Sequence, residues 1–208
     1  EGLELGSYMI ADIDGNIGDV FPAEYDFLKP VTPYSFKIGM NLFQSDINLI
    51  GQKLGIVTGL GMDFSKFYFD HNKQISSDSN GVSFNTLSVP AKNIKRNSLY
   101  TNYITVPVLL EFQTNPKDKT NSFHLSGGVI GGLRVFSNSK VVYTEDGSKE
   151  KNKIKDDFYL NPLKLDLSAR AGWYKCNFFA NYSLLPMFKE GFGPEIYPVT
   201  VGMTIIPF

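Results

Sequence analysis

The sequence has one cysteine, two histidines and no long hydrophobic run among its 208 residues. The single cysteine, Cys176, excludes an intrachain disulfide and a zinc site built from several cysteines. The two histidines, His71 and His124, are too few for a histidine-rich metal centre. No segment approaches the roughly 18 to 20 consecutive apolar residues of a membrane-spanning helix, so a helical membrane protein is excluded.

An excess of charge of one sign is also missing. The chain carries 20 basic and 21 acidic residues, for a formal net charge of -1. The lysines and arginines are scattered along the chain, whereas nucleic-acid-binding domains cluster them. We therefore predict no nucleic-acid partner.

Aromatic residues are plentiful, with 17 phenylalanines and 11 tyrosines. Mean hydropathy is only -0.13. A transmembrane β-barrel has such a value because its apolar residues occupy alternate positions of each strand. Aromatic residues also gather near predicted strand ends, in PYSF, FSKFYFD, DFYL and WYKCNFF, as the interfacial girdles of a membrane barrel require.

Eight segments alternate between apolar and small or polar residues, which predicts an all-β chain. The clearest is LKLDLSARAGW, in which Leu165 and Leu167 share a face that excludes Asp166 and Arg170. The others are LELGSYM, SFKIGMNL, LGIVTGLGMDF, YITVPVLLEF, FHLSGGVIGGLRV, NFFANYSL and the final VTVGMTIIPF. Short links around SDIN, NPKDKTN and YKC alternate with long polar loops near residues 12–32, 71–98, 138–157 and 187–195. This pattern predicts one up-and-down antiparallel transmembrane barrel of about eight strands, formed by a single domain over residues 1–208.

The polar face of these strands determines which side points inward. It holds mostly Gly, Ser, Thr and Asn, with few charges, whereas a water-facing surface would be dense in Lys and Glu. We therefore place this face in a packed lumen, and expect its charges, which also include Lys37 and Asp63, to neutralise one another. The predicted lumen charge network is Glu4, Glu111, Arg134, Asp166 and Arg170. Glu111 is the first candidate partner of the two arginines, because strands four to six are neighbours in a meander, and Asp166 and Glu4 are the next candidates.

The apolar face is then expected to face lipid. The predicted lipid-facing residues are Leu165, Leu167, Ile104, Val106, Val201 and Met203. In hydrocarbon every backbone N–H and C=O must be paired, so the sheet must close and the last strand must pair with the first. Membrane lipid or detergent is the expected surrounding of the barrel.

Five of these stretches, LGIVTGLGMDF, YITVPVLLEFQTN, FHLSGGVIGGLR, DDFYLNP and FANYSLLPMFKEGFGPEIYPVTVGMT, resemble the PorT-like outer-membrane β-barrel proteins of Bacteroidetes. The similarity extends over nearly the whole chain from about Pro33. It implies a bacterial outer-membrane barrel with both termini in the periplasm and a cleaved signal peptide, so Glu1 is expected to be a mature or trimmed terminus. It implies no established biochemical activity.

Phe208 resembles the terminal aromatic residue through which the outer-membrane insertion machinery recognises barrels. The phase of the last strand departs from that pattern. The apolar face holds Ile205, Met203 and Val201, whereas the signal would place apolar residues at Ile206, Thr204 and Gly202. Pro207 can account for this shift of phase.

Catalytic signals are weak. TGLGMD and GGVIGG match no phosphate-binding loop, and His124, Ser126 and Asp166 have no spacing that fixes a triad. We predict no catalytic, cofactor-binding or metal-ligating residue, and hence no enzyme.

The favoured function is a structural or interaction role through extracellular loops above a plugged polar lumen, with an unidentified extracellular or periplasmic envelope partner. An enzyme acting on lipid or peptide at the outer rim, where His71 and Asp70 lie, and a narrow pore remain alternatives.

Overall fold

The computed structural model describes residues 2–18, 21–51, 53–90, 93–115, 122–145, 147–173 and 176–205. Two short 3-10 helices span Ala23–Leu28 and Thr32–Tyr34. No helix among these residues is long and apolar enough to cross a membrane. The strands are β1 (Gly2–Ala11), β2 (Phe36–Ile50), β3 (Leu54–Tyr68), β4 (Lys73–Asp78), β5 (Gly81–Thr86), β6 (Ile94–Gln113), β7 (Phe123–Glu145), β8 (Ser148–Ile154), β9 (Leu163–Trp173), β10 (Cys176–Ser183) and β11 (Tyr197–Ile205).

Eight of these strands form a closed antiparallel ring in the order β1, β2, β3, β6, β7, β9, β10 and β11. The ring closes where β11 pairs with β1, in a register that runs from Leu3 opposite Ile205 to Ala11 opposite Tyr197. The eight ring strands coincide with the eight alternating segments of the sequence. The predicted fold class is therefore confirmed, and the last strand is ordered because it completes the ring.

The two faces of each ring strand differ in burial, as the period of two requires. On β9, Leu163 and Leu167 are exposed on the outer face, whereas Asp166 and Ser168 are buried on the inner face. On β3 the inner residues Asp63 and Ser65 are likewise buried. The lumen is thus polar and filled with side chains, and the outer surface is apolar.

The connections fall into two groups at opposite ends of the ring. Links of three, nine and two residues join β2 to β3, β6 to β7 and β9 to β10 at one end, which we call the short-link end. The other four connections are long and define the long-loop end. Most of the predicted NPKDKTN link, residues 116–121, lies outside the described residues.

Two of the predicted loops contain strands. The segment predicted as a loop near residues 71–98 carries the β4–β5 hairpin and the start of β6, and the one near 138–157 carries the end of β7 and β8. On β7, Arg134 lies opposite Tyr103 and Phe136 opposite Asn102, so Val135 forms a bulge. This bulge reverses which face each later residue of β7 occupies, and β8 pairs with β7 beyond it.

The apolar core lies at the long-loop end rather than in the lumen. Each of the four long connections contributes buried apolar side chains to one cluster, together with the adjacent ends of the ring strands. We call this cluster the cap; it consists of Tyr8, Ile10, Phe27, Leu28, Phe67, Phe69, Ile75, Val82, Leu99, Phe158, Leu160, Phe188 and Ile196. The cap closes the long-loop end of the barrel.

Candidate functional site

Six charged side chains meet inside the lumen in a row of alternating sign. They come from β1, β2, β3 and β9, on positions that the strand period directs inward. We call this row the lumen charge chain; it consists of Arg170, Glu4, Lys37, Asp63, Lys164 and Asp166. Three cations face three carboxylates, so the row is electrically balanced.

Asp63 stands at the centre of the lumen charge chain. Its Oδ2 lies 3.0 Å from Lys37 Nζ and accepts a hydrogen bond from Lys164 Nζ at 2.8 Å. Lys37 Nζ also lies 3.4 Å from Glu4 Oε2. Lys37, Glu4 and Asp63 are all buried. Because a buried charge is tolerated only with opposite charges beside it, each of these groups depends on its neighbours.

The two ends of the lumen charge chain lie on β9. Lys164 Nζ lies 3.0 Å from Asp166 Oδ2, and Arg170 Nη2 lies 2.7 Å from Glu4 Oε1. Arg170 Nε also donates to Ser168 Oγ at 3.4 Å. The row therefore crosses the lumen from β9 to β1, β2 and β3 and returns to β9.

Gly39 gives the carboxylates room to approach one another. It lies between Glu4 and Asp63 in register, and a Cβ at Gly39 would sit 3.0 Å from Glu4 Oε2 and 3.1 Å from Asp63 Oδ1. Few Cβ atoms have such close neighbours, so a larger side chain here would displace a carboxylate from its lysine. The glycines of the polar face thus provide space for the charges.

The structure brings together only part of the network predicted from the sequence. Glu4, Asp166 and Arg170 belong to the lumen charge chain. Glu111 accepts a hydrogen bond from Gln113 instead, and Arg134 lies 3.8 Å from the Asp157 carboxylate. Lys164, which the sequence prediction omitted, pairs with both Asp63 and Asp166.

Glu111 forms no ion pair with either arginine within the described residues. Arg170 lies at the level of Glu111, since Ser126 is opposite both, but it pairs with Glu4 instead. Arg134 is separated from Glu111 by register. Glu111 lies opposite Ser126, whereas Arg134 is eight residues further along β7, or roughly 26 Å at the usual rise of a strand. Their parity, that is, which of the two alternating faces of a strand each residue occupies, placed both residues on the inner face. Parity does not tell how far along the barrel axis each residue lies.

The DDFYLNP segment connects the barrel to the cap. Phe158 and Tyr159 adopt the left-handed region, with φ of 49° and 50°, which is costly for non-glycine residues. Phe158 is fully buried in the cap. Arg134 Nη1 donates to the Asp157 carbonyl oxygen at 2.8 Å, and the ring of Tyr159 stacks on Phe192 with centroids 4.5 Å apart.

A small cavity of about 40 Å3 lies between the cap and the lumen charge chain. Leu160 and Met187 of the cap region line it from one side, and Lys164 and Asp166 from the other. Towards the short-link end, Val57, Leu109 and Ile130 form a small buried apolar cluster. The lumen charge chain therefore crosses the lumen, the cap covers its long-loop end, and the small apolar cluster lies towards its short-link end.

The predicted lipid-facing residues share the outer face of the ring. Ile104, Val106, Leu167, Val201 and Met203 are exposed, with Leu167 exposed by 51%. Leu165 is half-buried. Phe208, the predicted insertion signal, lies outside the described residues.

His71, at the rim of the long-loop end, is held in place by hydrogen bonds to the backbone. His71 Nε2 donates to the Phe27 carbonyl oxygen at 2.6 Å, and its Nδ1 accepts from the Lys73 N–H at 3.2 Å. Burial lowers the pKa of His71 below its ordinary value, which favours the neutral ring. Both ring nitrogens are thus engaged, and no group of three or more possible metal ligands occurs within the described ranges.

The predicted aromatic girdle is only partly present. Phe67, Phe69 and Phe158, from FSKFYFD and DFYL, are buried in the cap. Phe36, from PYSF, and Trp173 and Phe178, from WYKCNFF, are exposed on the outside. Phe179, also from WYKCNFF, is buried beside Lys37 in the lumen. Aromatic residues near strand ends are therefore divided among the cap, the lumen and the outer surface.

Comparison with solved structures finds distant similarities. Two solved structures of Ail, the attachment invasion locus protein of Yersinia pestis, are similar to it. The one in complex with the heparin analogue sucrose octasulfate is 11% identical, with a TM-score of 0.35, over 98% of this chain and 92% of that chain. The other is 10% identical, with a TM-score of 0.34, over 98% and 93%.

No curated protein matches the chain significantly. A family model described as the outer membrane protein beta-barrel domain matches residues 24–191. These residues include six of the eight ring strands and most of the cap. The chain therefore belongs to the outer membrane protein beta-barrel domain family.

Proposed function

We propose that this protein is a non-conducting outer-membrane barrel that presents its cap to a partner in the cell envelope or outside the cell. The observation that carries this proposal is the packing of all four long connections into one buried cluster. Loops that gate a channel need freedom to move, whereas these loops form an ordered platform with an exposed outer surface. Binding surfaces are commonly loops held by a rigid scaffold.

In this proposal residues 1–208 form one domain whose long-loop end faces the cell exterior, with both termini in the periplasm. The exposed outer face, with Leu165, Leu167, Ile104, Val106, Val201 and Met203, contacts lipid. The insertion machinery recognises Phe208. The DDFYLNP and LGIVTGLGMDF stretches support a place in the PorT-like group of Bacteroidetes.

A closed lumen supports this function over a pore. An eight-stranded barrel has an interior that side chains can fill. Here the lumen charge chain crosses that interior, and the cap covers its long-loop end. Any conduction path would have to break buried ion pairs and also open an apolar cluster.

A catalytic role at the outer rim has less support. Such a role needs a titratable group with a free functional atom. His71, the candidate at this rim, uses both ring nitrogens in hydrogen bonds to backbone. We therefore propose no reaction for this chain.

Single-channel recording tests the closed lumen. Purified protein in planar bilayers should give no conductance steps, and disruption of the lumen charge chain by Asp63→Ala together with Lys164→Ala should introduce them. Steps of a uniform size from the wild-type protein would show that the barrel is a pore.

Epitope accessibility and cross-linking test the platform. An epitope inserted after Ser79, in the turn of the β4–β5 hairpin, should bind antibody on intact cells, whereas the same epitope after Asp118, between β6 and β7 in the sequence, should not. A photo-reactive residue at Asn80 should then form a discrete cross-linked adduct that the same residue at Asp118 does not form. Exposure of only the Asp118 epitope would contradict the orientation, and absence of adducts across the cap surface would contradict the interaction role.

A further inference from the structure

The outer face of the β7–β8 hairpin is unusually basic. Beyond the bulge at Val135, Phe136 and Lys140 lie on the outer face of β7. Lys153 of β8 stands directly opposite Lys140. Like charges in directly opposed positions of a sheet destabilise it, so this pair has an unfavourable interaction that the fold itself does not relieve.

The basic character extends over four strands. Lys151 and Lys149 follow Lys153 on the same face of β8, because they are two and four residues away. Arg96 of β6 lies opposite Val142, which is on this face of β7. Lys66 of β3 lies opposite Tyr100, which in turn lies opposite Asn138. We call this surface the basic face; it consists of Lys66, Arg96, Lys140, Lys149, Lys151 and Lys153.

Acidic residues do not balance the basic face. Glu145 and Glu150 of the hairpin lie on the opposite side, since they alternate with the lysines. Asp70, just beyond β3, is an acidic residue close to Tyr68, which Arg96 also approaches. Within the described part of the chain, none of the six basic residues forms an ion pair, in contrast to Lys37 and Lys164 of the lumen.

The basic face begins where the apolar outer surface ends. Lys66 Nζ lies 5.3 Å from the ring centroid of Phe36 and 5.5 Å from that of Tyr68, and Lys153 Nζ lies 5.8 Å from that of Phe136. Leu133 and Val135 are exposed immediately towards the short-link end. Aromatic rings mark the interface of membrane barrels, and lysine stems extend along apolar surface to reach the polar layer.

We propose that the basic face binds the phosphate groups of membrane lipid headgroups on the long-loop side of the barrel. The proposal rests on the membrane placement given under Proposed function. Several cations at headgroup level, above exposed apolar side chains, match a phosphorylated lipid whose acyl chains lie against the barrel wall. Each basic residue near a membrane surface adds to attraction for anionic lipid, and phosphate oxygens would relieve the repulsion between Lys140 and Lys153.

Lipid retention in mixed micelles tests this binding. Folded protein is equilibrated in maltoside micelles that carry equal amounts of phosphatidylcholine and phosphatidic acid, repurified, and the bound lipids are counted by mass spectrometry. The wild-type protein should retain phosphatidic acid in preference to phosphatidylcholine. Lys149→Gln, Lys151→Gln and Lys153→Gln in one variant should lower that preference at least about tenfold, whereas arginine at the same positions should preserve it.

A matched control changes three other lysines to Gln and should keep the wild-type preference. These are Lys53, between β2 and β3 in the sequence, and Lys117 and Lys119, between β6 and β7 in the sequence. Equal preference in both glutamine variants would overturn the proposal. Displacement of phosphatidic acid by an equal concentration of inorganic phosphate would show a site for free phosphate rather than for lipid, and would also overturn it. Retention of neither lipid by the wild-type protein would instead count against the membrane placement itself.

Discussion

Substitution of Asp63 by asparagine should strongly destabilise the barrel. Asn keeps the size and shape of the side chain but removes the charge that Lys37 and Lys164 share. Lys37 would keep Glu4 at 3.4 Å, and Lys164 would keep Asp166 at 3.0 Å. The lumen charge chain would then hold three cations and two carboxylates, so one buried positive charge would be unbalanced.

The structure sets the size of the effect. At an effective dielectric constant of about 20, a unit charge pair 3 Å apart interacts by about 5 kcal/mol before desolvation is counted. Asp63 makes two such contacts, at 2.8 and 3.0 Å. Removal of one partner from a buried ion pair typically costs about 3 to 5 kcal/mol. We expect a loss of this size in the free energy of unfolding for Asp63→Asn.

Denaturant unfolding in detergent, followed by the gel shift between folded and unfolded barrel, measures this loss. Asp157→Asn is the control, because it removes a carboxylate that is 47% exposed and bound to Lys189 at 3.1 Å, where about 1 kcal/mol or less is expected. Adding Lys164→Met to Asp63→Asn restores equal numbers of cations and carboxylates and should recover part of the stability. Equal losses for Asp63→Asn and Asp157→Asn, or no recovery in the double variant, would refute the reasoning.

Three further substitutions follow from the structure. Leu167→Arg should cost on the order of 2 to 4 kcal/mol near the bilayer midplane, measured by unfolding in lipid vesicles, and an unchanged stability would contradict lipid contact at this face. Glu111→Ala should cost less than Asp63→Asn in the same unfolding assay, because Glu111 is outside the lumen charge chain. The lowered pKa of His71 means that the unfolded chain binds a proton that the folded cap does not. Stability should therefore fall as the pH drops below about 6.5, and His71→Gln should weaken that dependence between about pH 7 and 5 when melting is followed by circular dichroism.

The ring of strands could be predicted from the sequence because each of its strands repeats one simple pattern. Alternation in LKLDLSARAGW placed Leu167 outside and Asp166 inside, and the structure agrees. The apolar end of the chain indicated closure, and β11 pairs with β1. Parity depends only on the period of a strand, so it survives small errors in where the strand begins or ends.

The composition of the lumen charge chain needed information that the sequence does not hold. Parity placed Glu111 and Arg134 on the inner face, but the stagger of neighbouring strands decides which inner residues share a level. Arg134 lies near the long-loop end and reaches Asp157 of a loop, while Glu111 lies near the short-link end. Lys164 follows Leu163 at the start of β9 and could have been included by parity alone.

The cap was not predicted because its strands and buried aromatics lie in segments whose composition is that of solvated loops. Phe158 lies directly after two aspartates, and Ile75 lies in a run rich in Ser and Asn. Both are buried in the structure, because long connections from four sides of a narrow ring converge above its mouth. The four connections meet only because the barrel closes, so the pattern of residues within any one connection does not predict the cap.

The cap and the barrel are joined by hydrogen bonds that originate on ring strands. The Tyr103 hydroxyl donates to the Asn161 carbonyl oxygen at 2.9 Å, and Arg134 Nη1 donates to that of Asp157 at 2.8 Å. Both acceptors flank Phe158, whose left-handed backbone is unfavourable without support. The ring strands therefore hold the segment that inserts Phe158 into the cap. Opening of the cap as a separate lid would have to break these two hydrogen bonds, and this cost supports the proposal that the long-loop end is a platform rather than a gate.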